Sequence, residues 1–210
     1  MKVAKLKNTS LDVNSYIVCS DNNKTAVIID PALETMKMTQ IIKELDIVYI
    51  VNTHGHFDHI AGNGRIKELK GSKIIIHKND ADMLGDSHKN LSYYFIEPVV
   101  SPAADIIIQD ESYRIEIDGI KLLVIEVPGH TEGSIALYNP EQNILFPGDL
   151  IFRNSIGRTD FPGGDKNKMK NSIDKILKLP DNTFVYPGHE EDFLLSDFRK
   201  VYQYILNYEL

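Results

Sequence analysis

The stretch THGHFDHIAG, residues 53–62, sets His54, His56, Asp58 and His59 within six consecutive positions, between an apolar run and a glycine. Imidazole and carboxylate are ligands for zinc, iron and manganese, and burying four such polar groups together calls for a compensating partner such as a metal ion. In an extended turn His54 and His56 can aim both rings at one cation, while Asp58 and His59 follow where a helix would begin. The hexapeptide is thereby divided between two sites. A lone histidine is more often a packing or surface residue, and Asp58 also suits a helix cap. The concentration of four is what favours metal.

Three further groups of the right type lie downstream. VPGHTEGS places His130, FPGDLIF places Asp149 and VYPGHEED places His189, each after an apolar strand and directly after Pro-Gly. That dipeptide ends a strand in a tight turn and presents the next side chain at the sheet edge. His54, His56, His130, Asp58, His59 and His189 give three protein groups to each of two cations, and Asp149 can bridge them. Three ligands per ion leave room for water, as in catalytic sites, whereas structural zinc sites are closed by four. Two cations sharing a water lower its pKa and clamp a developing oxyanion, so hydrolysis is the expected chemistry.

The elements that must position these groups are short β-branched runs closed by turn signals: AVIID (26–30), VYIVNT (48–53), KIIIHK (73–78) and SIALYNP (134–140). YRIEI and IKLLVIEV flank Asp118-Gly119, a dipeptide suited to a two-residue hairpin turn. Helical spacing predicts helices in ETMKMTQIIKELD, HIAGNGRIKELK, KMKNSIDKILKL and FLLSDFRKVYQYILNY. The hairpin argues against a purely parallel sheet, so a mixed α/β sandwich is expected. Residues 87–110, with Pro98 and Pro102, read as an irregular loop crossing between sheets.

The chain of 210 residues is 42% hydrophobic and 25% charged, an ordinary globular balance that fits one domain over 1–210. Its net charge of −7 argues against a nucleic-acid face. No run approaches the roughly 20 apolar residues that span a bilayer. The only cysteine, Cys19, and the lack of a charged-then-apolar leader predict a cytoplasmic protein. Cys19 reads as a buried strand thiol, His77 and His88 as packing or surface residues, and Tyr16 and Tyr93 as possible pocket lining. Oligomeric state is not legible.

HGHFDH (54–59), PGHT (128–131), PGD (147–149) and PGH (187–189) resemble the ordered metal motifs of the metallo-β-lactamase superfamily. The match runs from Asp30 to His189. The resemblance implies a four-layer αβ/βα sandwich with the metals at one edge of its two sheets. It implies two divalent metal ions, zinc first and iron or manganese as alternatives. His54, His56 and His130 would hold one, Asp58, His59 and His189 the other, with Asp149 joining them. Asp58 would also orient a bridging hydroxide for attack. Asp30 sits where the family has an aspartate supporting the metal loops, although a simple Asp-Pro turn is an equal reading.

β-Lactamases of the commonest type carry cysteine at the bridging position, and di-iron reductases carry glutamate at the second histidine; this chain has Asp149 and His56. IGRTDFPGGD (156–165) resembles glyoxalase II-like thioester hydrolases and, in GRTDF, persulfide dioxygenases. Arg158 aligns with the basic residue that contacts the substrate carboxylate in glyoxalase II. The implied function is hydrolysis of a small-molecule acyl-thiol thioester. Two departures leave the thiol carrier open: the chain ends 21 residues after His189, short of the extra helical domain of longer members, and Glu191 replaces an aromatic residue. The closest alternative is a mononuclear-iron persulfide dioxygenase using His54, His130 and Asp149. A lactonase and a non-catalytic metal-bound scaffold are weaker alternatives.

Overall fold

The computed structural model describes residues 1–8, 10–22, 24–32 and 36–208. Strands β1 (Lys2–Asn8), β2 (Val13–Cys19), β3 (Thr25–Ile29), β4 (Asp46–Val51), β5 (Lys73–His77) and β6 (Ile106–Ile108) form one sheet in that spatial order. The second sheet runs β12 (Phe193–Leu194), β11 (Phe184–Val185), β10 (Ile144–Phe146), β9 (Ile135–Asn139), β8 (Ile120–Glu126) and β7 (Arg114–Ile117). Both are mixed: β3 to β6 run parallel, β10 and β11 run parallel, and the other neighbours are antiparallel.

The central apolar runs follow from burial on both faces. Val27 and Ile29 face the second sheet, where they meet Leu122, Val124, Leu137 and Phe146. Ala26 and Ile28 point the other way, toward Ile42, Ile60 and Ile66. Those three lie on α1 (Met36–Glu44), α2 (Phe57–Ile60) and α3 (Asn63–Lys70). On the far side of the second sheet, Ala136 and Leu145 pack under α5 (Lys166–Ile176) and α6 (Leu195–Tyr208), through Met169, Ile173, Phe198 and Ile205. Helices, sheet, sheet and helices make the four-layer αβ/βα sandwich. Each fully buried Ile or Phe contributes about 1.5–3 kcal/mol, so these three cores dominate the fold's stability.

The Asp-Gly hairpin forms between β7 and β8, with Asp118 at φ 46° and Gly119 at φ 83°. Three expectations are corrected. The helix over 59–70 is two helices, because the Gly62 amide turns aside to the Pro31 carbonyl at 2.8 Å. Residues 87–110 hold a short helix, α4 (Ser92–Phe95), and the edge strand β6. Phe193 and Leu194 open the C-terminal segment as a strand paired with β11 before the helix starts. The first helix is described from Met36 on, and Glu34 and Thr35 lie outside the described residues. Among the described residues, no helix is long and apolar enough to cross a membrane.

Candidate metal centre

The expected ligands come together at one edge of the sandwich. Asp30 follows β3, His54 and His56 follow β4, His130 follows β8, Asp149 follows β10 and His189 follows β11. Strand carboxyl ends gathered at one rim are where open α/β sheets place their sites. Asp58 and His59 lie on the first turn of α2. Cross-sheet bonds lock the rim: the Ile135 amide donates to the Thr53 carbonyl at 2.8 Å, Asn14 Nδ2 to the Pro187 carbonyl at 2.9 Å, and the Tyr16 hydroxyl to that same carbonyl at 2.6 Å.

Four of the five histidines are oriented by a partner at Nδ1. His59 Nδ1 donates to Asp30 Oδ2 at 3.0 Å, His130 Nδ1 to the Arg158 carbonyl at 2.8 Å, and His189 Nδ1 to the Asp12 carbonyl at 2.6 Å. His54 Nδ1 lies 3.2 Å from Thr53 Oγ1, whose own proton goes to Asp30 Oδ2 at 2.6 Å. Each ring therefore turns Nε2 inward, the arrangement by which outer partners fix a metal-binding tautomer. His56 is the exception: its Nδ1 faces inward, 2.9 Å from His130 Nε2.

The inward atoms form overlapping groups: His54, His56 and His130; His54, His59 and Asp149; Asp58, His59 and His189, each with its ligand atoms within 4.8 Å of one another. Asp149 spans them, with Oδ1 3.4 Å from His59 Nε2 and Oδ2 3.3 Å from His189 Nε2 and 3.6 Å from His130 Nε2. Asp58 Oδ2 lies 3.3 Å from His189 Nε2 and 3.6 Å from His59 Nε2. His54 Nε2, His59 Nε2 and Asp149 Oδ1, all on the inward side, are buried without a hydrogen-bond partner. Such orphans are costly unless a cation receives them. The donor set, all imidazole and carboxylate, fits divalent ions such as zinc or iron.

Electrostatics divide the rim. Burial, aided by neighbouring histidines, holds His54 well below the usual imidazole range and brings His56 down to about 3. Burial opposes charge on His59 and His189 as well, but Asp149 and Asp58 outweigh it, raising His59 well above its ordinary value and His189 to about 10. Asp149 and Asp58 are held low by those histidines against the opposing effect of burial, and stay ionised.

A cavity of about 260 Å³ opens above the ligands, with His56, Asp58, His130, Asp149 and His189 in its lining and Arg158 at its wall. Arg158 donates from Nε and Nη2 to the two carboxylate oxygens of Asp160, both at 2.7 Å, so a substrate carboxylate would have to displace Asp160 from that fork. Tyr16 is buried away from the cavity, and Tyr93 is exposed on α4 without lining it. His77 is packed against Glu126 at 3.0 Å, and His88 lies against Tyr93. Cys19 is half-buried, at the end of β2 remote from Asn14 and the rim.

Asp80 was not legible as a site residue. It is buried beyond β5, and its carboxylate accepts from the Gly55 amide at 3.0 Å, Thr131 Oγ1 at 2.7 Å and the Gly133 amide at 2.7 Å. It thus ties the His54–His56 turn to the turn bearing His130. A usable signal was its place, an aspartate shortly after an apolar strand, as Asp30 is.

The family model described as Metallo-beta-lactamase superfamily matches residues 8–189. The chain is 34% identical over 193 residues to the hydroxyacylglutathione hydrolase GloC of Haemophilus influenzae, covering 90% of this chain and 91% of that one. It is similar to the crystal structure of BLEG-1 B3 metallo-beta-lactamase, with a TM-score of 0.89, 30% identity and coverage of 95% and 97%. It also resembles TTHA1623 in a di-iron-bound form, with a TM-score of 0.82, 28% identity and coverage of 94% and 98%.

Proposed function

Because this chain belongs to the metallo-beta-lactamase superfamily, and is thus a metal-binding hydrolase by family, we propose that it is a glyoxalase II-like enzyme that hydrolyses a small-molecule acyl-thiol thioester. The observation that carries this reading is the convergence of two three-ligand groups on one buried carboxylate, Asp149, at the floor of an open cavity. A pair of divalent cations, zinc first, supplies there an acidified water and a Lewis acid for the carbonyl oxygen. Similarity to a protein crystallised with two irons supports a two-ion site and makes iron the first alternative.

The chain's own groups then have defined tasks. Asp30, Thr53, Asp12 and the Arg158 carbonyl hold the rings so that their inward nitrogens stay aimed at the floor. Ionised Asp58, at the cavity edge, accepts a hydrogen bond from the attacking water and orients it toward the carbonyl carbon. The departing thiolate needs little proton assistance, since a thiol's pKa is about 8.5, far below that of an amine or alcohol. No side-chain nucleophile is required. Cys19 is unsuited, because burial raises its thiol pKa and it lies at the far end of β2.

The test is a substrate panel on metal-reconstituted protein: thioesters followed by release of free thiol, beside lactones, a β-lactam, and a persulfide followed by oxygen uptake. The reading expects thioester kcat/KM to exceed that of every other class. Oxygen consumption with a persulfide and no thiol release would replace it with the dioxygenase, and preference for the lactam would replace it with the chemistry of the BLEG-1 relative.

A further inference from the structure

The cavity has a wall that the metal chemistry does not use. Phe57, Leu91, Phe95 and Phe161 contribute to its lining, and the three phenylalanine rings form a continuous run. Phe161 lies edge-on to His56 at 5.9 Å, Phe95 lies 5.9 Å from Phe161, and Phe57 stacks beside Phe95 at 6.2 Å. The run leads from a floor histidine to the mouth, where Phe95 is 58% exposed.

This wall is built rather than loose. Asn90 holds the short helix bearing Phe95: its side chain accepts from the Ser92 amide at 3.0 Å and donates to the Met83 and Val99 carbonyls, and its own carbonyl receives the Phe57 amide at 3.0 Å. Leu91 is kept there at φ 72°, a conformation unfavourable for a branched residue unless its surroundings enforce it. The one arginine in the lining, Arg158, is flattened onto Phe161 with its guanidinium carbon 3.7 Å from the ring centroid. Its fork is closed by Asp160, which offsets its charge and leaves the guanidinium face as an extension of the aromatic wall.

We propose that this mouth selects a thioester whose non-reacting arm, on the acyl or the thiol side, is uncharged and apolar, and that Asp160 is a specificity-determining residue because it occupies the Arg158 fork that would receive a carboxylate. The inference rests on the thioester reading. Anionic arms are disfavoured twice, by the apolar wall and by the uncompensated carboxylate they would liberate on displacing Asp160.

The test uses matched pairs on the metal-loaded enzyme: hexanoyl against 5-carboxypentanoyl thioesters of N-acetylcysteamine, and acetyl thioesters of hexanethiol against 6-mercaptohexanoate. In at least one pair the uncharged member should have a kcat/KM at least about tenfold higher, because only the carboxylated member must bring a charged terminus against the apolar wall. D160A and D160N should each narrow that ratio about fivefold by improving the carboxylated member, as expected for freeing an exposed ion pair. F95A should lower kcat/KM for the apolar-armed substrate more than for acetyl-N-acetylcysteamine, whose arms are short. Equal use of both members, or a ratio unmoved by D160A and D160N, would overturn the proposal. Calorimetry with the S-hexyl and S-(5-carboxypentyl) thioethers of N-acetylcysteamine reads the same ratio without turnover. A shifted binding ratio without hydrolysis of any thioester would sink the thioester reading alone, whereas hydrolysis with an unshifted ratio would sink only this inference.

Discussion

His130 donates from Nδ1 to the carbonyl of Arg158 at 2.8 Å, which couples a floor ligand to the loop that shapes the mouth. The bond sets the His130 tautomer, so Nε2 is the nitrogen that meets His56 and Asp149. It runs through backbone, so it survives replacement of the Arg158 side chain. R158A should therefore retain full metal content while its substrate KM changes, and loss of metal in that variant would show that the side chain holds the loop.

Asp30 orients His59 and also binds Thr53 through its amide at 2.7 Å and its hydroxyl at 2.6 Å. D30N keeps the shape but forces one of these donors against an amide. The cation at the Asp58, His59 and His189 group should bind about 10–100-fold more weakly, with the His54, His56 and His130 group less affected. Competition with a chromophoric chelator measures both, and equal weakening at the two would contradict the assigned role.

Asp80 closes three hydrogen bonds between the two histidine-bearing turns. D80A leaves the buried Gly55 and Gly133 amides unpaired, at about 1–3 kcal/mol per group with partial relief by water, while the Thr131 hydroxyl keeps Ser134 Oγ at 2.7 Å. Urea unfolding of the metal-free protein should lose about 2–4 kcal/mol, and an unchanged midpoint would remove Asp80 from the account.

Much of this site was legible because its signals are local. HGHFDH and the three Pro-Gly turns carry their ligands within a few residues of a strand end, and the Asp118-Gly119 turn is encoded by two adjacent residues with positive φ. What escaped depends on distant partners. Asp80 acquires its role only from Gly55, Thr131 and Gly133. The break before α3 depends on the Pro31 carbonyl, and the strand Phe193–Leu194 on pairing with Phe184 and Val185. The aromatic wall draws Phe57, Phe95 and Phe161 from three separate segments, which no periodicity relates.

Gly188 passes close beside the Asp149 carboxylate, and a Cβ built there overlaps Asp149 Oδ1 and crowds the His59 ring. G188A should displace Asp149 and reduce both metal content and turnover while the fold persists by circular dichroism. Normal metal content in G188A would mean that Asp149 tolerates movement and is not the shared ligand.

Proton release separates the two groups. In metal-free protein at pH 7, His59 and His189 are imidazolium, since their pKa values are raised, the latter to about 10, whereas His54 and His56 are neutral. A cation taking the Nε2 atoms of His59 and His189 must displace about two protons, so its affinity should rise with pH through the neutral range, by up to roughly a hundredfold per unit. His54 and His56 add no proton release of their own. Calorimetry in buffers of different ionisation enthalpy counts the protons, and equal release at both groups would contradict this division.

The most direct test of the central claim is a zinc titration of chelator-stripped protein with thioester hydrolysis read at each addition. The account predicts that activity reaches its plateau at two ions per chain and that D149A neither holds the second ion nor hydrolyses the thioester. Full activity at one ion, or a protein that holds a single iron and consumes oxygen with a persulfide, would contradict it.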